Sequence, residues 1–133
     1  LVPAAKGDVI TRENAPRIRA RIVAEGANFA VTTEAQKVLH ERGVLLIPDI
    51  IANAGGVIAA YVEMINGTVS QAFEYTREKI RRNVAEVLRI SQSRGLIPRE
   101  AAIRMARERV IRAMVARKRW GERRCDDEDR PQL

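Results

Sequence analysis

Cysteine occurs once in this 133-residue chain, and so does histidine. A single cysteine excludes an intrachain disulfide and a thiolate-clustered metal site. With one histidine beside it, zinc would have to rest on carboxylates, so no metal ligands are expected. Aromatic residues make up 4 % of the chain, and none is set among the basic residues as a stacking platform for nucleic acid. No apolar run approaches the roughly 20 residues of a membrane helix, and no signal-peptide pattern occurs. The G-x-G-x-x-G fingerprint of a first dinucleotide-binding turn is absent, as is the G-x-x-x-x-G-K-[ST] phosphate loop. These absences leave a soluble domain of a reducing compartment, the cytoplasm, with no membrane partner.

What the chain has in excess is positive charge, +7 with a pI near 10.5, on an apolar fraction of 46 %. That fraction is globular and too high for a disordered basic tail. The charge is uneven. Residues 1–76 carry 7 basic and 8 acidic side chains, residues 77–124 carry 16 and 5, and the last nine carry 1 and 4. The basic back half invites nucleic acid as a partner. Yet Glu78 to Arg82, Glu100 to Arg104 and Glu108 to Arg112 are i,i+4 pairs in the favourable orientation, which reads as a solvated helix face. No zinc-finger or tight helix-turn-helix spacing supports nucleic-acid binding either.

The front half alternates short apolar runs with amphipathic stretches, the pattern of parallel βαβ units. Leu1-Val2-Pro3-Ala4-Ala5 reads as the end of a buried strand. Because Leu1 is not Met, sequence upstream with further strands of the same sheet is expected. A short helix follows over about 12–20, limited by Pro16. Arg21–Ala24 reads as a second strand. Thr33 and Gln36 fit a capping box for a helix over about 34–42, closed by Gly43. Val44–Ile47 is a continuous apolar strand, ended by Pro48-Asp49. Val57–Ile65, entered through Gly55-Gly56, looks like a buried helix. Two long helices complete the chain. One spans about 70–93, with Ile80, Val84, Val87, Leu88 and Ser91 on one face. The other spans about 99–119, with Ala102, Met105, Ala106, Val110, Ala113 and Met114 aligned. The fold class is therefore α/β: a partial Rossmann-like parallel sheet of three strands with helices, then long C-terminal helices. The expected organisation is 1–69 as half of a dinucleotide-binding domain, 70–119 as a helical segment, and 120–133 as a flexible tail, basic then acidic.

In a parallel sheet the strand C-termini share one edge, and ligands bind in the crevice beyond it. Here those ends are Pro3-Ala4-Ala5, Glu25-Gly26-Ala27-Asn28, and Pro48-Asp49 leading to Asn53-Ala54-Gly55-Gly56. Asparagine supplies both a donor and an acceptor, which suits a ribose hydroxyl or a carboxamide. Small residues admit a flat ligand to the backbone, and Gly55-Gly56 opening a helix exposes free N–H groups. The competing reading gives the glycines to tight turns and the asparagines to helix caps.

The segments Leu1-Val2-Pro3-Ala4-Ala5, Ile22-Val23-Ala24-Glu25-Gly26-Ala27-Asn28, Ile47-Pro48-Asp49 and Asn53-Ala54-Gly55-Gly56-Val57, in this order, resemble the glutamate dehydrogenase family within the Glu/Leu/Phe/Val amino-acid dehydrogenases. The match is dense over 1–66 and looser beyond. The resemblance implies NAD or NADP as cofactor. It places Asn28 near the nicotinamide ribose and Asn53 at the nicotinamide end. Ala4, Ala5, Gly26, Gly55 and Gly56 join them along the cofactor cleft. Val57 and Ala60 would lie toward the substrate. It also implies a homo-oligomer, a hexamer, and an L-amino acid and 2-oxo acid bound together with a further, N-terminal domain that carries the catalytic lysines and aspartate. No catalytic residue is expected within these 133 residues. Two departures stand out. Phe29-Ala30-Val31 replaces the usual G-P-T after E-G-A-N. Ala60 replaces a serine that touches the substrate carboxylate in glutamate-specific members, and alanine cannot make that bond, so the choice of amino acid stays open. The function implied is a part of an NAD(P)-dependent amino-acid dehydrogenase. A free-standing basic nucleotide- or nucleic-acid-binding module, a non-catalytic paralogue, and a fragment completing another chain's sheet are the alternatives.

Overall fold

The apolar runs of the front half form a parallel ladder. In the computed structural model β1 (Ile22–Ala24) pairs with β2 (Leu45–Ile47), with Val23 opposite Leu46. The structure describes the backbone of residues 1–128 and the side chains of residues 1–117. Between the strands runs α1 (Thr33–Glu41), completing a β–α–β unit. The expected first strand lies where the pattern put it, as an extended segment alongside β1. Leu1 N donates to Ile22 O at 3.0 Å, Ala24 N donates to Leu1 O at 3.0 Å, and Gly26 N donates to Pro3 O at 3.0 Å. Pro3 lacks the N–H that one rung of this ladder requires, and among the described residues β1 and β2 are the regular strands.

The core sits under this sheet. Ile10, Ala15, Val23, Val31, Ala35, Leu39, Val44 and Leu46 form one buried cluster, with Val9, Ile18 and Val38 packed against it. Leu39 and Val23 are fully buried, each contributing about 1.5–3 kcal/mol of apolar transfer free energy. The helix expected over 12–20 contracts to a 3-10 turn at Ala15–Arg17, because Pro16 denies it a continuing N–H. The cap of α1 also differs by one residue. Thr32, not Thr33, accepts from Ala35 N, and Gln36 turns inward to donate to Val31 O at 3.1 Å. The expected capping box is therefore not formed. Gly43 follows α1 with φ +72°, the left-handed conformation that ends helices.

After β2 the chain enters a short helix, α2 (Asp49–Ala52), then α3 (Gly55–Met64) and α4 (Val69–Arg94). The sharp entry to α4 has a local cause: Thr68 Oγ1 accepts from Gln71 N at 3.2 Å while Gln71 Oε1 accepts from Thr68 N at 2.7 Å. Gly95, at φ +62°, closes α4. Val87, Ile90 and Ser91 are buried on it, and Ile80, Val84 and Leu88 are half-buried. The expectation that 57–65 is a buried helix fails. Only Val62 of α3 is buried, while Val57 and Met64 are 79 % and 80 % exposed. An apolar composition marks a helix that resists water on every side, but α4 covers only one of its sides.

α5 (Pro98–Glu128) begins where Pro98 suits a first helical turn. It extends past the expected end near 119. The tail expected over 120–133 lies outside the described residues, apart from the α5 backbone to Glu128. The chain divides into two compact units, Leu1–Ala102 and the part from Ile103 onward. In the first, Ala101 and Ala102 are buried. In the second, the expected Glu108-to-Arg112 pair is not formed through side chains. Glu108 instead pairs backward with Arg104 at 3.3 Å, and Arg112 Nε donates to the Glu108 carbonyl. Val110 and Met114, from the stripe aligned on this helix, are exposed. No described helix is long and apolar enough to cross a membrane.

Candidate functional site

The extended segment 1–5, the loop after β1 and the turn after β2 meet at one edge of the sheet, as parallel strands require. Asn28 and Asn53, chosen from sequence as cleft residues 25 positions apart, are in direct contact there: Asn53 Nδ2 donates to Asn28 Oδ1 at 2.6 Å. Among the described residues neither Asn28 Nδ2 nor Asn53 Oδ1 makes a hydrogen bond, so the pair offers one donor group and one acceptor outward. That donor set fits a carboxamide or a ribose hydroxyl pair, the polar handles of a nicotinamide nucleoside. Among the described residues no three His, Cys, Asp or Glu converge.

The small residues differ in what they do. Gly26 is a close approach: a Cβ there would lie 2.9 Å from Ala4 Cβ and 3.2 Å from Val2 Cγ1. It lets the segment carrying Ala4 and Ala5 press against β1's end. Ala4 and Ala5 are themselves exposed. A Cβ on Gly55 would lie 3.2 Å from Thr76 Cγ2 of α4, whereas a Cβ on Gly56 would meet nothing within 4 Å. Gly56 thus leaves backbone open at the start of α3 without being needed for packing. Gly55, Gly56 and Ala60 line a largely apolar groove of about 920 Å³ between α3 and the first turns of α4, with Gly67, Ala72 and Phe73 on its other wall. Val57 stands on α3 outside that groove and is exposed.

Behind the edge lies a network that the sequence did not single out. Glu25 is fully buried at the end of β1. Its Oε1 accepts from Val31 N at 2.8 Å and its Oε2 from Asp49 N at 3.1 Å. Asp49, equally enclosed at the start of α2, accepts from Phe29 N at 2.7 Å and from Ile50 N at 2.6 Å. One nitrogen of Arg99, Nη2, reaches both carboxylates, at 2.7 Å from Glu25 Oε2 and 2.8 Å from Asp49 Oδ1. The Arg99 guanidinium also lies over the Phe29 ring, 5.7 Å from its centre. Two buried carboxylates would be very costly without this cation and these N–H groups. The only sequence signal was the pair of acidic residues at two adjacent strand ends.

A family model described as Glutamate/Leucine/Phenylalanine/Valine dehydrogenase matches residues 1–118. The glutamate dehydrogenase of Aeropyrum pernix is 44 % identical over 128 residues, which are 88 % of this chain and 30 % of that protein. The NADP(+)-dependent glutamate dehydrogenase of Pyrobaculum calidifontis is 41 % identical, with the same coverage of 88 % and 30 %. Among solved structures, the L-tryptophan dehydrogenase of Nostoc punctiforme superposes with a TM-score of 0.77 at 30 % identity, covering 85 % of this chain and 35 % of that one. The chain thus spans about a third of the length of the proteins it matches.

Proposed function

The chain belongs to the Glutamate/Leucine/Phenylalanine/Valine dehydrogenase family, and from that premise we propose that it forms the nicotinamide-side edge of an NAD(P)-dependent amino-acid dehydrogenase. The reaction is oxidative deamination: an L-amino acid and water yield a 2-oxo acid and ammonia as the oxidised cofactor is reduced. The observation that carries this reading is the bonded pair Asn28–Asn53 at the sheet edge, with the open backbone of Gly56 three residues further along the chain. The chemistry supplied by the bound nicotinamide is hydride acceptance. This chain's residues orient rather than react. Asn28 Nδ2 and Asn53 Oδ1 would hold the ring's polar substituents and the open backbone at Gly56 would let it lie close, while Gly26 and Gly55 shape the same edge by admitting Ala4 and Thr76; together they would set the hydride path. Ala4 and Ala5 border the same cleft.

Proton transfer belongs to a facing domain, so the 133 residues alone are catalytically silent. In this reading Val57 and Ala60 of α3 are the residues nearest the amino-acid substrate. Ala60, with no hydroxyl to offer a substrate carboxylate, leaves glutamate without one hydrogen bond. Two relatives that act on glutamate and one that acts on tryptophan, by their names, support the reaction class without choosing the substrate. The parent protein is a cytoplasmic homo-oligomer in this reading, a hexamer by family resemblance. The exposed apolar side chains of α3 and α4, among them Val57, Met64, Val69 and Phe73, support burial against other domains or subunits. Titration of the full-length protein with NADH and NADPH tests the cofactor assignment. Saturable binding that Asn28→Ala weakens supports it, and no binding of either nucleotide overturns it.

A further inference from the structure

The Glu25–Asp49–Arg99 network bonds the residue next to Asn28, through Asp49 and Phe29 N, and it has no partner in the chemistry proposed above. We infer that Arg99 is a positioning residue for the cofactor edge: through Asp49 it holds the turn at Phe29 that presents Asn28. The inference rests on the functional reading just given.

The geometry is specific. Phe29 is not glycine, yet its φ is +51°, a left-handed conformation that costs a residue with a Cβ about 1 kcal/mol or more. Something must hold it. Its N–H is held by Asp49 Oδ2 at 2.7 Å, and its carbonyl accepts from Asp8 N at 2.8 Å. Asp49 keeps that carboxylate in place only because its other oxygen meets Arg99 Nη2 at 2.8 Å and Ile50 N at 2.6 Å. Glu25 closes the frame from the far side, binding Val31 N, Asp49 N and the same Arg99 nitrogen. Asn28 is therefore flanked by two anchored carboxylates, at positions 25 and 49, and both converge on one cation from the start of α5. Arg99 lies 74 residues from Glu25 in sequence and is 14 % exposed. Loss of its charge would leave two buried carboxylates repelling each other at the root of the loop. The loop would then move, and Asn28 with it.

Because only Nη2 bonds the carboxylates while Nε is buried without a partner, a lysine ammonium would keep the charge between them but not the guanidinium's place over Phe29. This makes Arg99→Lys the charge-retaining variant. The experiment uses the full-length protein carrying this segment, with wild type, Arg99→Met, Arg99→Lys, Asp49→Asn, Asn28→Ala and Leu39→Ala. Reduced-nicotinamide binding, steady-state kinetics and amide hydrogen exchange are read for each. Arg99→Met and Asp49→Asn are expected to raise the cofactor Kd about tenfold, with the amino-acid KM at saturating cofactor within about twofold. Exchange at the Phe29 amide should quicken about tenfold or more in both, because its acceptor is lost or displaced. Arg99→Lys, which keeps the charge but loses the stacking over Phe29, should give a Kd between those of wild type and Arg99→Met. Leu39→Ala, which weakens the core without touching the network, should lower Tm and leave the Kd unchanged. Wild-type Kd and wild-type Phe29 exchange in folded Asp49→Asn overturn the inference, as does an equal rise in Kd from Leu39→Ala. Should Arg99→Met not fold, Asp49→Asn and Arg99→Lys decide by the same readouts. Wild type that binds neither nucleotide overturns the functional reading and this inference together. Wild type that binds, with Asn28→Ala weakened and Asp49→Asn unchanged, overturns this inference alone.

Discussion

Asn53 Nδ2 donates to Asn28 Oδ1 at 2.6 Å, joining the loop after β1 to the turn after α2. The bond fixes which amide group each asparagine turns outward. If one bond serves both packing and recognition, its loss should show unequal effects. Asn28→Ala and Asn53→Ala should each cost stability by only about 0.5–1.5 kcal/mol, since the bond is exposed. Each should weaken cofactor binding about tenfold or more, and the double variant should lose less than the sum. Denaturant melts and nucleotide titrations on the four proteins complete the cycle.

Two glycines on the same edge should respond in opposite ways. Gly26→Ala drives a methyl to 2.9 Å from Ala4 Cβ, so the extended segment must lift from β1, at about 1–3 kcal/mol. Hydrogen exchange should quicken at Ala24 and Gly26, whose N–H groups donate to that segment. Gly56→Ala meets no neighbour and sits within the first turn of α3. It should stabilise the protein by about 0.5–1 kcal/mol through helix propensity while weakening cofactor binding, since backbone that a ligand approaches is now covered. A stabilised variant with unchanged binding would remove Gly56 from the cleft.

The buried charges set a third expectation. Arg99→Ala should destabilise the Leu1–Ala102 unit by about 3–5 kcal/mol, the usual cost of orphaning buried partners. Replacing Glu86, whose partner Arg89 is exposed and 2.8 Å away, should change stability by less than about 1 kcal/mol. Thermal or denaturant melts compare the two directly. Equal losses would mean that burial of the Arg99 cluster carries no special weight.

Position 60 tests substrate choice. Ala60→Ser adds a hydroxyl on the groove wall between α3 and α4. A hydrogen bond to a charged carboxylate contributes about 1.5–3 kcal/mol. The ratio of kcat/KM for glutamate over leucine should therefore rise about tenfold or more. An unchanged ratio would place Ala60 away from the substrate side chain.

Sequence patterning captured what depends on local chemistry. Val44–Ile47 reads as a buried strand because nothing polar interrupts it, and Gly43 and Gly95 mark helix ends because both adopt φ above +60°. The meeting of Asn28 and Asn53 was also legible, since parallel strands bring their ends to one edge. Legibility failed where the outcome depends on which neighbours are present. The α3 run looked buried because it is apolar, but composition does not say which sides this chain itself covers. The Thr32 cap displaced the Thr33 box because Gln36 found the buried Val31 carbonyl instead. Arg99 was one of 24 basic residues, and nothing short of the folded chain brings it to Glu25.

Positioning of a nicotinamide cofactor for amino-acid oxidation is read from amino-acid-dependent reduction of NAD+ and NADP+ by the full-length protein, across glutamate, leucine, valine, phenylalanine and tryptophan. Wild type and Asn28→Ala are run side by side. Reduced nicotinamide and ammonia are expected in equal amounts with at least one amino acid, with a KM for cofactor raised about tenfold or more in Asn28→Ala. A folded wild-type protein that reduces neither cofactor with any of these amino acids would contradict that positioning.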